Sequence, residues 1–124
     1  MTSEISTKVS YLHDAYVYAI NLQIDEEGYR ELAISVHCNP DCGLYEWNDK
    51  RLTIRFLEPL IILGELYGHM ANVEEINAFQ MGAPHELVRE INQGATPPTE
   101  VAKILFHSGS RLDVGCREIV IVEQ

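Results

Sequence analysis

From Tyr16 onward, hydrophobic and polar side chains alternate along the chain. Tyr18, Ile20, Leu22 and Ile24 fall on one side of an extended backbone, and Ala19, Asn21, Gln23 and Asp25 fall on the other. This is the period-two pattern of a half-buried strand. Asp25-Glu26-Glu27-Gly28 interrupts it with a polar turn whose glycine tolerates positive φ. The alternation resumes with Leu32, Ile34, Val36 and Cys38 against Glu31, Ala33, Ser35 and His37, so the two segments predict an antiparallel hairpin. Leu52, Ile54 and Phe56, set against Thr53, Arg55 and Leu57, predict a third strand that Pro59 ends, because proline has no N–H to give to a ladder. The core expected from these periods is Tyr18, Ile20, Leu22, Ile24, Leu32, Ile34, Val36, Leu52, Ile54 and Phe56.

Between and after these strands the pattern changes. Cys38-Asn39-Pro40-Asp41-Cys42-Gly43 has turn composition, residues 44–47 read as a short edge piece, and residues 60–66 as a short buried strand or a bend. Residues 72–79 predict two helical turns, with Asn72 as N-cap, acids in the first turn, and Val73, Ile76 and Phe79 on one side. Residues 84–92 predict a second short helix, with Pro84 near its start and Gly94 past its end. Thr96-Pro97-Pro98-Thr99 reads as an internal loop. Strands follow at residues 101–107, 112–116 and 118–123. The last carries the β-branched run Ile119-Val120-Ile121-Val122, expected of a strand buried on both faces. The expectation is an α+β fold, predominantly β: an antiparallel sheet or sandwich with one or two short helices, in a single globular domain over residues 1–124.

Composition narrows the class. With 46% hydrophobic residues in 124, the chain can bury a core without disulfide staples, and its three cysteines cannot all pair with one another, so reduced thiols are expected. Apolar runs such as residues 60–63 fall far short of the roughly 20 needed to cross a bilayer, and Met1-Thr2-Ser3-Glu4 brings no basic stretch, so a cytoplasmic protein without membrane partners is expected. The 19 acids against 9 Lys and Arg leave a net charge of −10, spread from Glu4 to Glu123. Such a field repels nucleic acid and anionic lipid and steers cationic partners inward, although acidity also serves solubility alone.

Candidate chemistry is sparse. His37-Cys38-Asn39-Pro40-Asp41-Cys42 is the densest cluster of ligand-type residues. Its thiols are four apart, whereas structural zinc pairs usually leave two residues between them, and Cys116 with one of His13, His69, His85 or His107 forms no matching motif. No metal and no cofactor are therefore expected, and folding is expected to need none; Cys38 fits a small packed hydrophobe. No G-x-S-x-G elbow, Gly-rich phosphate loop or H-E-x-x-H is present, so no catalytic residue is assigned. His13 and Asp14 are the nearest acid–base pair and a candidate site, but neighbours on a strand point apart, so they cooperate only within a turn. Glu46, Trp47 and Asp49, within Tyr45-Glu46-Trp47-Asn48-Asp49, interleave an aromatic with carboxylates and are the candidate partner-binding residues. The competing reading makes Trp47 a lid over the core.

Leu12-His13-Asp14-Ala15 followed by strand, turn and alternating strand, together with Ile104-Leu105-Phe106-His107-Ser108-Gly109-Ser110-Arg111-Leu112-Asp113-Val114 leading to Cys116-Arg117-Glu118-Ile119, resembles small uncharacterised bacterial β-rich domains that include immunity proteins of polymorphic toxin systems. The resemblance covers both ends of the chain and not residues 68–99. It implies a non-enzymatic protein that covers the active surface of a toxin, and it transfers no catalytic residue. Three functions follow as expectations. The first is an acidic protein-binding module, immunity-protein-like, with a basic protein partner. The second is a structural or homo-oligomeric domain whose C-terminal strand serves a subunit interface. The third is a small-ligand binder or enzyme with a site near His13 or His107.

Overall fold

The protein was analysed as a computed structural model that describes residues 8–58, 61–65, 74–82 and 100–124. Its strands are β1 (Tyr16–Ile24), β2 (Arg30–His37), β3 (Arg51–Leu57), β4 (Ile61–Glu65), β5 (Glu74–Met81), β6 (Glu100–Phe106), β7 (Arg111–Cys116) and β8 (Glu118–Glu123). They form one sheet in the order β4-β7-β6-β5-β1-β2-β3-β8, and every pairing is antiparallel. The predominantly β fold read from the periodicity is therefore the fold of the chain. Its helical content, among the described residues, is two 3-10 turns at Val9–Leu12 and Tyr45–Trp47. The two halves of the sheet meet at one core. Phe56 of β3 stacks on Phe79 of β5 with ring centroids 6.4 Å apart, and Ile34, Val36 and Ile54 share a buried cluster with Ile104, Val114 and Cys116.

The hairpin of β1 and β2 forms where the turn chemistry places it. Gly28 takes φ +88, and Asp25 Oδ1 accepts the Glu27 and Tyr29 backbone N–H groups at 2.9 Å each. Leu32, Ile34, Val36, Leu52, Ile54 and Phe56 are buried as expected. Tyr18, Ile20, Leu22 and Ile24 are not: their relative exposures are 46, 40, 57 and 66%. A bulge explains part of the difference. Val17 pairs with Val36 and Ala19 with Ser35, leaving Tyr18 as the extra residue. That residue reverses the parity, so Val17 enters the core while Tyr18 turns outward to Gln124 Oε1 at 2.6 Å and under the Arg51 guanidinium. Ile20, Leu22 and Ile24 pair with Ile34, Leu32 and Arg30, but among the described residues β5 pairs with β1 only at Tyr16 and Val17, so the distal half of β1 has no described strand on its other edge.

A second bulge accounts for the misread helix. The expected helical turns at residues 72–79 overlap β5, which pairs with β6 through Ile76↔Phe106 and then Ala78↔Leu105 and Phe79↔Ile104. The extra residue, Asn77, places Ile76 and Phe79 three apart on one buried face, the spacing that imitates a helix. The short helix expected at residues 84–92 and the loop at 96–99 lie outside the described residues. Residues 44–47 are not an edge strand: Trp47 N–H bonds to Leu44 O at 2.9 Å and Asn48 N–H to Tyr45 O at 3.2 Å, closing a tight turn. Nor is β8 buried on both faces. Among the described residues it pairs only with β3, at the end of the sheet, and Ile119 alone among its own residues is buried.

Burial also sets the thiol chemistry. Cys38 and Cys116 are in the core, and burial pushes both thiols up to about 12, helped by Cys42 for Cys38 and by Glu100 for Cys116. A thiol nucleophile must ionise, so at about pH 8 a disulfide reagent such as DTNB is expected to react quickly with Cys42 and with the other two only on unfolding. Rapid release of three equivalents from the native protein would contradict this packing. Because the folded state holds these protons where an unfolded thiol loses them, stability is full below the ordinary value of 9.0 and falls as pH rises from there toward about 12. Urea melts across that range should show a shallower fall for Cys116→Ala than for the wild type.

Candidate functional site

The β8 end of the sheet carries a recess. Ile119 and Ile121 of β8 share a face with Leu52 of β3 and pack against the core, and the turn at Tyr45–Trp47 brings the Trp47 ring against them. Together with Lys8, Glu46, Glu100, Glu118, Val120 and Glu123 they line a cavity of about 530 Å³, within the ~300–1,000 Å³ range of ligand pockets. Its lining joins these apolar side chains to four glutamates and one lysine, Lys8. Glu46 holds the Lys8 ammonium at 3.1 Å, Glu123 holds Lys50 at 3.4 Å, and burial pushes the Glu100 carboxyl above its ordinary range.

Two of the residues singled out in the sequence, Glu46 and Trp47, line this recess. Trp47 is only 8% exposed, so it is a wall of the cavity and part of the core, not a projecting anchor. Tyr45, 91% exposed, is the aromatic that the turn presents to solvent. Asp49 is elsewhere: it stands at φ +57 and its Oδ1 lies 2.9 Å from His37 Nε2. His37, Cys38 and Cys42 do not converge as ligands, because Cys38 is buried, His37 turns to Asp49, and Cys42 Sγ contacts Asn48 Oδ1 at 3.3 Å. Glu100, Glu118, Ile119, Ile121 and Glu123 were not singled out as site residues. The only sequence signal for them is a pair of acids flanking the β-branched run of β8.

The second constellation joins His13 and Asp14 to His107, 93 residues later. Asp14 sits at φ +66, a left-handed conformation, in the turn that follows Val9–Leu12. Its N–H donates to Ile76 O at 2.7 Å, and its carbonyl accepts Asn39 Nδ2 at 3.2 Å. This turn lets adjacent residues cooperate: Asp14 Oδ2 lies 3.1 Å from His13 Nδ1, and Oδ1 lies 2.8 Å from His107 Nε2. Comparison with known proteins finds no matching family model, no matching curated relative and no matching solved structure. Among the described residues, no helix is long and apolar enough to cross a membrane.

Proposed function

We propose that the protein is an acidic protein-binding module that takes a basic, extended segment of a partner protein into the groove beside β8. The observation that carries the reading is a recess whose lining joins the apolar Trp47, Leu52, Ile119 and Ile121 to the acidic Glu46, Glu100, Glu118 and Glu123. Lysine and arginine side chains have this dual character, an apolar stem and a charged head. Among the described residues, an incoming strand would also find an edge paired on one side only, since β8 bonds to β3 and ends the sheet. A second copy of this chain is a poorer occupant, because it brings a net charge of −10 and its own Glu118 and Glu123 to the same edge. The immunity-protein resemblance extends the proposal: the partner would be a basic toxin, and the acidic field would speed its capture.

Trp47 is the only tryptophan, so its emission reports on the groove. Titration with a six-residue peptide alternating lysine and valine, matched to the length of β8, is expected to change Trp47 fluorescence saturably and more weakly at high salt. The same peptide with glutamate in place of lysine should leave the emission unchanged. Equal responses to both peptides, or to neither, would refute the proposal.

A further inference from the structure

We propose that His13, Asp14 and His107 form a binding site for a divalent cation of the zinc class, separate from the groove, with which they share no lining residue. One ligand atom from each of the three residues lies within 4.8 Å of the others, a spread that small side-chain rotations close around a metal bound at ~2.0–2.2 Å. Two imidazole nitrogens and one carboxylate oxygen suit zinc, copper or nickel, whereas magnesium and calcium require more oxygen ligands than this cluster supplies. Three protein ligands leave the remaining position for water, and all three side chains are open enough to solvent for an ion to enter.

The backbone holds the donors in place without a metal. Ala15 N–H bonds to Leu12 O at 3.0 Å and Ile76 N–H to Ala15 O at 3.0 Å, fixing the turn that carries His13 and Asp14 onto β5. His107 N–H bonds to Glu75 O at 2.9 Å, anchoring the β6–β7 turn to the same strand. The two rings stand edge to face, with centroids 6.1 Å apart and planes at 66°, and each turns one nitrogen toward the shared carboxylate. The ion takes the lone pairs of those two nitrogens. Because a carboxylate only accepts, the nitrogens facing Asp14 carry the protons in the metal-free state; on binding, each neutral ring gives that proton up and takes one on the opposite nitrogen by exchange with solvent, and any imidazolium present releases one to solvent. Leu12, Ala15 and Ile76 pack beneath the cluster in the core, so the metal adds to a fold already formed.

The test is calorimetric titration of metal-stripped protein with zinc chloride, and separately with magnesium chloride. One saturable zinc site per chain and none for magnesium is expected. His13→Gln and His107→Gln should each weaken zinc at least about 10-fold, as loss of a ligand must cost no less than loss of an outer-shell partner. Cys42→Ser should leave the affinity unchanged. Because the histidines also bond to Asp14, melting of each variant is followed with and without zinc. The site is supported if zinc raises the wild-type midpoint and not those of the histidine variants. Absence of saturable binding, equal affinity in His107→Gln, or loss of binding in Cys42→Ser would overturn it.

Discussion

Phe56→Ala is expected to destabilise the fold by about 3–5 kcal/mol, whereas Leu22→Ala should cost less than about 1 kcal/mol. Phe56 is fully enclosed and stacks on Phe79 from the opposing half of the sheet, so truncation removes apolar burial and opens a cavity where the halves meet. Leu22 is 57% exposed on the distal half of β1, so its truncation leaves no enclosed void. Simple alternation places both side chains in one core; the bulge in β1 and the exposure of its distal half separate them. Urea melts compared at constant m-value decide between the two, and equal losses would mean that the distal half of β1 is covered in solution.

Replacing Glu46, Glu118 and Glu123 together with Gln is expected to weaken binding of the lysine–valine peptide about 10-fold. Exposed carboxylate–ammonium pairs are each worth ~0.2–1 kcal/mol, and three of them sum to roughly the 1.4 kcal/mol of a tenfold change. The loss should shrink at high salt, where such pairs are screened. Fold stability should hardly change, because Glu46 and Glu123 pair with Lys8 and Lys50 at the surface, where truncation leaves no buried charge behind. An affinity unchanged in the triple variant would show that the apolar side chains alone, or another surface, bind the peptide.

Much of the strand architecture was legible because a residue facing the core on one strand faces it again two positions later. The β1–β2 hairpin and β3 follow from that rule. It failed at the two bulges, around Tyr18 and Asn77, where one extra residue shifts the parity and nothing in local composition announces it. The β-branched run at Ile119–Val122 correctly signalled a strand but carried no information on sheet order, so its edge position and half-open face appear only in three dimensions. The same limit governs the sites. Glu46 and Trp47 stand out by composition, while Glu100 and the β8 residues join them through pairing between distant segments. His13 and Asp14 are visible as neighbours, but His107 reaches them across 93 positions. Asp113, 3% exposed and held by Arg111 at 2.7 Å, gave no sign in its sequence context of being a buried charge.

The groove reading is tested most directly by backbone and indole amide shifts of isotope-labelled protein titrated with the lysine–valine peptide. The largest changes are expected at the Trp47 indole, at Leu52, and along Glu118–Glu123, with the β8 N–H groups turned away from β3 gaining protection from exchange. Changes centred on Ile20, Leu22 and Ile24, or spread over the acidic residues in proportion to their exposure, would contradict it.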